Sequence, residues 1–160
     1  MDFPERIYTQ EEVAKAKELI DKGYKHPRIK IKGTQVFRQK VKQALTLIRT
    51  AGYHDFFRTY IRRIEEIDGL TQLRNADASI WANKYAVDNP VDAASLFIQK
   101  ATTMKEYLEL AHYYSGEAER RSVEKRIEFL KTLKAETQNR ETIDECERLL
   151  GLWREWSSAY

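Results

Sequence analysis

Apolar residues recur along this chain with two different periods, and the switches between them lay out the elements. Val13, Ala16 or Lys17, and Ile20 follow the spacing of one helical face. Thr9-Gln10-Glu11-Glu12 stands just before them in capping-box order, so a helix is predicted over about 10–22, closed by Gly23. In His26-Pro27-Arg28-Ile29-Lys30-Ile31-Lys32-Gly33 the period drops to two. Ile29 and Ile31 alternate with Arg28, Lys30 and Lys32, as in a strand with one buried face, and Gly33 ends it. Thr34 caps a second predicted helix over 35–50, with Phe37, Val41, Ala44, Leu45 and Ile48 inward and Gly52 as its stop. Residues 53–68 carry both periods: Phe57, Tyr60, Ile61 and Ile64 fit a helix, while Ile64 and Ile67 among charges fit a strand. A short helix to about Tyr60 followed by a strand is the preferred reading, with Asp68-Gly69 as a turn. Residues 78–87 read as a further strand, Trp81, Tyr85 and Val87 on one face and Ile80, Ala82 and Ala86 on the other. Apolar groups on both faces put it inside a small sheet.

The helix predicted over 91–108 organises the remainder. Asn89 caps it and Pro90 suits its first position. Ala94, Phe97, Ile98, Ala101, Met104 or Lys105, and Leu108 share one face, and Gln99, Lys100 and Thr103 form a polar group beside it. After Gly116 a helix runs to about Leu133 with Val123, Ile127, Leu130 and Leu133 inward, Glu119 one turn earlier on the same stripe. A last helix over about 141–156 presents Ile143, Leu149 or Leu150, Trp153 and Trp156. Few strands, clustered before the central helix, predict one α+β domain over 1–160: a small β-sheet packed on a mostly helical body. No repeat, linker or low-complexity segment interrupts it.

Composition narrows the chemistry. At 160 residues the chain can close one core. Its charged share of 33% is on the high side, which fits a thermophile. The single Cys146 excludes an internal disulfide and a Cys-rich metal site, and reads as a buried structural thiol. His26, His54 and His112 lack ligand spacing and read as surface positions. No apolar run reaches membrane-spanning length and the first residues carry no signal-peptide pattern, so the expectation is a cytoplasmic protein without a membrane role. The net charge of +3 is uneven: from Lys22 to His54 there are nine Lys or Arg residues and no Asp or Glu. Lys25, Arg28, Lys30, Lys32, Arg38, Lys40 and Lys42 are candidate phosphate contacts for nucleic acid, which would bind in a salt-sensitive way. The plainer alternative is a solvated basic face. Trp153, Trp156 and Tyr160 are core anchors or, alternatively, a docking surface or dimer seam.

The stretch ASIWANKYAVDNPVDAASLFIQKATTMKEYL, followed by GEAERRSVEKRIEFLKTL, resembles the core of the zincin-type zinc metallopeptidases, and KGTQVFRQKVKQALTLI resembles the helix they carry upstream. The resemblance covers roughly residues 32–133. In that family a strand leads into a helix bearing His-Glu-x-x-His, and a later helix supplies a Glu, commonly within E-x-x-A. The resemblance implies a zincin-like fold and puts Gln99 and Thr103 at the histidine positions, Lys100 at the catalytic Glu and Glu119 (or Glu117) at the third ligand. Ser122 stands where the Ala would follow.

Those replacements remove the family's chemistry. Catalytic zinc needs three good ligands and an open water position. Gln and Thr offer only neutral oxygens, which bind zinc poorly. The family's Glu accepts a proton from metal-bound water; a lysine, with an ordinary pKa near ~10.4, is charged at neutral pH and repels a divalent ion. The expectation is a non-catalytic protein with no metal and no cofactor, binding or regulating a protein partner. Its Lys100 ammonium would stand in for the metal and pair with Glu119. The alternatives are nucleic-acid association through the basic segment, and a hydrolase with other ligands. Without the resemblance, Gln99, Lys100 and Thr103 are the polar flank of an amphipathic helix, and Glu119 is a helix-start carboxylate favoured by the dipole.

Overall fold

The strands fall in about the first half of the chain and three long helices follow them in the computed structural model, which describes residues 2–110 and 116–158. Helix α1 is Gln10–Asp21, followed by β1 (Lys30–Lys32), α2 (Gln35–Thr50), α3 (His54–Tyr60) and β2 (Arg63–Ile67). Then come β3 (Gln72–Arg74), β4 (Ser79–Asn83), α4 (Pro90–Leu110), α5 (Gly116–Glu136) and α6 (Arg140–Ser158). The molecule is therefore α+β: a small mixed sheet with a mostly helical body.

Local chemistry explains the helix starts. The Thr9 hydroxyl accepts from Glu12 N at 3.1 Å and the Glu12 carboxylate accepts from Thr9 N at 2.8 Å, so both arms of the capping box are closed. The Thr34 hydroxyl accepts from Phe37 N at 3.2 Å. Asn89 Oδ1 accepts from Val91 N and Asp92 N at 3.0 and 3.1 Å, which satisfies two orphan donors of α4.

The sheet has the order β1-β2-β4-β3, with β1, β2 and β4 parallel and β3 antiparallel at the edge. Ile31, Ile64, Ile80 and Leu73 stand in register and turn to the core. Because side chains alternate along a strand, their neighbours Lys30, Arg63, Ser79 and Arg74 form a row on the opposite face. Arg74 lies over the Trp81 ring at 4.2 Å.

Helix α4 runs through the centre, touching α2, α3, α5, α6 and β3. Its Phe97, Ile98, Ala101 and Met104 are fully buried, and Phe97 meets Phe57 of α3 at 6.1 Å. Burying each large apolar side chain contributes roughly 1.5–3 kcal/mol, so this helix is the main apolar anchor of the fold. Cys146 is buried too, and burial pushes its thiol up to about 11. No described helix is long and apolar enough to cross a membrane.

Four sequence expectations are corrected. The strand predicted over 78–87 ends at Asn83, whose side chain accepts from Tyr85 N at 2.9 Å and turns the chain into a 3-10 turn, Lys84–Val87. Tyr85 is consequently exposed instead of sharing a face with Trp81. Helix α5 is rotated from the expected stripe: Ser122, Val123, Arg126, Phe129, Leu130 and Leu133 are buried, Ile127 only half-buried, and Glu119 exposed. His26, expected at the surface, is buried against Phe3 and Tyr24. His112 and Tyr160 lie outside the described residues.

Candidate functional site

The polar group on α4 does have a partner, and it comes from α5. Asp92, Ser95 and Gln99 fall on one face of α4 at spacings of three and four, the spacing that aligns side chains along a helix. Arg126 reaches all three. Its Nη2 donates to Asp92 Oδ1 at 2.7 Å, its Nε to Ser95 Oγ at 2.9 Å and its Nη1 to Gln99 Oε1 at 2.8 Å. The Ser95 hydroxyl in turn donates a hydrogen bond to the Asp92 backbone carbonyl at 2.8 Å. The guanidinium also lies over the Trp153 ring of α6 at 4.7 Å. Arg126 is only 7% exposed. A buried charge is tolerated when it is paired and hydrogen-bonded, and this one has an anion, two neutral acceptors and an aromatic face. Burial lowers its pKa and the Asp92 charge works against that; guanidinium remains protonated in proteins.

Lys100 sits half-buried beside this cluster. Burial first, and then the Arg126 charge, hold its pKa below the ordinary lysine value, while Glu119 raises it. The expected Lys100–Glu119 ion pair is not formed within 4 Å. Glu119 and Glu117 are both exposed in the first turn of α5, because Val123, Phe129 and Leu133 fix which side of that helix faces the core. Thr103 Oγ1 donates to the Gln99 carbonyl of its own helix at 3.1 Å. The positive charge held against Gln99 is thus the guanidinium of Arg126, with the Lys100 ammonium as its neighbour.

These residues do not fit the zinc that the resemblance implies. Gln99 offers one neutral oxygen and already accepts from a cation. Thr103 is turned to its own backbone, and both glutamates are exposed. Two positive side chains would repel a third cation, by an amount on the order of 4 kcal/mol per unit charge at 4 Å near a protein surface. Among the described residues no three His, Cys, Asp or Glu side chains converge to hold a metal.

A hollow of about 620 Å³ lies at the carboxyl ends of β2 and β4, with Glu66, Asp68, Lys84 and Tyr85 in its wall. Ligands of open parallel sheets sit at such ends, yet here Glu66 accepts from Thr34 N at 2.9 Å and itself occupies the start of α2. Gly33 makes this approach possible: a Cβ there would come within 2.8 Å of the Glu66 Cβ.

The basic segment is divided. Lys30 and Lys32 project from the sheet face opposite the core, Arg28 is exposed nearby and Lys25 is half-buried. Arg38 and Lys42 are exposed on α2, and Lys40 is ion-paired with Asp88.

Arg126, Asp92, Ser95 and Trp153 were not assembled from sequence, although the signal exists. Counting Phe129 into the α5 stripe gives Ser122, Arg126, Phe129 and Leu133, and places the arginine at its centre. Comparison with protein-family models, with curated proteins and with solved structures finds no match to this chain.

Proposed function

We propose that this chain is a non-catalytic, zincin-like protein that binds or regulates a protein partner, with a fixed guanidinium in the place a peptidase gives to its metal. The observation that carries the reading is the 2.8 Å bond from Arg126 Nη1 to Gln99 Oε1, a cation held against the position of the first histidine. Three features of the fold support it. A parallel strand, β4, leads into α4. The polar group of α4 faces α5, the following helix. The sheet lies beside α4, which touches β3. The replaced residues can neither ligate zinc well nor activate water.

Metal analysis and a peptidase assay on the purified chain test this reading. The expected result is no tightly held transition metal and no hydrolysis of casein. Stoichiometric zinc, or zinc-dependent cleavage, overturns it. The kinship is tested separately. A variant combining Gln99→His, Lys100→Glu, Thr103→His and Arg126→Ala should acquire zinc, since the two histidines are restored and the competing cations removed, with the exposed Glu119 left to turn in as third ligand. If that variant folds but takes up no zinc, the zincin kinship is lost and an α+β binding module remains.

A further inference from the structure

A cleft of about 680 Å³ opens at the amino ends of β1 and β2, between the N-terminal segment and the turn that leads into β1. Its size lies within the roughly 300–1,000 Å³ usual for small-molecule sites. We propose that this cleft binds a phosphate monoester of a polyhydroxylated small molecule, with Arg28, Lys30 and Arg63 holding the phosphate and His26 adding a neutral contact. The proposal is independent of the metallopeptidase-like reading.

Lys30 and Arg63 stand in register on neighbouring parallel strands, so their side chains leave the same face side by side. Like charges in that position repel. Among the described residues, neither they nor Arg28 has a carboxylate ion pair within 4 Å. A bound dianion would convert this repulsion into attraction. Arg62 adds charge to the same wall. It donates to the carbonyls of Asp77 at 2.8 Å, Pro4 at 3.0 Å and Glu5, which ties the N-terminal segment down as one side of the cleft.

Two buried nitrogens at this cleft have no protein partner: Nε2 of His26 and Nε of Arg63. Buried polar groups are nearly always hydrogen-bonded, so two unpaired nitrogens beside one cleft leave hydrogen-bonding capacity that a ligand oxygen can take up. His26 is 4% exposed, edge-on to Phe3 at 4.7 Å and to Tyr24 at 5.2 Å. Burial, with Arg62 nearby, pushes its pKa down to about 4, so at neutral pH it is an uncharged imidazole able to donate one proton. Asp2, Glu5 and Asp77 also line the cleft. They oppose a long polyanion, but they can accept from the hydroxyl groups of a sugar or polyol. That combination favours a compact sugar phosphate over a nucleic-acid strand.

Calorimetric titration of the full chain with ribose 5-phosphate, ribose, inorganic phosphate and a single-stranded oligonucleotide tests this. Ribose 5-phosphate should bind saturably and more tightly than inorganic phosphate, ribose should give no heat, and the His26 ring-nitrogen resonances should move on binding. Arg63→Gln and, as a second variant on an exposed side chain, Lys30→Gln should each weaken binding about ten-fold, with Lys131→Gln, exposed on α5 away from the cleft, unchanged. The proposal is overturned if ribose 5-phosphate fails to bind at millimolar concentration, or if inorganic phosphate binds as well. Equal affinity in the folded Arg63→Gln and Lys30→Gln variants would also overturn it. So would tighter binding of the oligonucleotide, which would make this a nucleic-acid surface instead.

Discussion

Arg126 carries more of the site than any residue singled out by motif. Its donors reach Asp92, Ser95 and Gln99, so one side chain ties the first three turns of α4 to α5 and, through Trp153, to α6. Breaking a buried pair by removing one partner costs about 3–5 kcal/mol; the Asp92 side chain is 39% exposed, which argues for the lower end. Arg126→Ala should therefore lower the unfolding free energy by about 3 kcal/mol in urea titrations. A loss under about 1 kcal/mol would mean that the guanidinium is not holding the helices together. This residue was hidden in the sequence because α5 is dense in charge and its inward stripe is only one position from a plausible alternative. Val123, Leu130 and Leu133 satisfy both stripes; Phe129 decides between them.

Among elements, legibility followed length and capping. The bounds of α2 came directly from Thr34, five apolar positions at helical spacing and Gly52. The helix after Asn89-Pro90 was equally plain. By contrast β3 has three residues, too few for an alternation to register, and the turn after Asn83 depends on a side-chain hydrogen bond that no periodicity announces. The polar face of α4 is legible as a group, but its partner Arg126 lies two turns along α5 from Glu119, where the resemblance places it. Asn89 acts at this scale: besides capping α4, its Nδ2 donates to Glu145 Oε1 of α6 at 2.7 Å. Asn89→Ala removes both, so it should cost about 1–2 kcal/mol, above the loss of a cap alone. Asn89→Ser keeps the capping oxygen and should recover about half, as read from melting temperatures of the two variants.

At the scale of the whole molecule, the N-terminal segment, the sheet and the helices close on one another. Ile7 N donates to the Ala76 carbonyl at 2.7 Å, and the Tyr107 hydroxyl of α4 donates to the Ile7 carbonyl at 2.7 Å. His26 belongs to this closure, its backbone N–H donating to the Arg58 carbonyl at 2.9 Å. Its pKa is about 4 in the folded chain against an ordinary 6.5. Below 6.5 the unfolded chain takes up a proton that the native state refuses. The stability is thus fully present above about pH 6.5 and is lost as pH falls towards 4. The loss should approach about 3 kcal/mol. Urea unfolding at pH 7 and pH 4 should show a larger acid loss for the natural chain than for His26→Phe, which has no ring nitrogen to protonate. Equal losses would mean that His26 is reached by solvent protons without unfolding.

Both borders of the sheet are strands of three residues, β1 with Lys30 and Lys32 and β3 with Gln72 and Arg74. A short border carrying cations is a poor template for another copy's backbone, because recruitment there would bring like charges together before many amides could pair. Concentrated solutions of this protein should therefore resist fibrillar growth at the sheet margins, a resistance owed to the brevity of two strands instead of to any shielding helix.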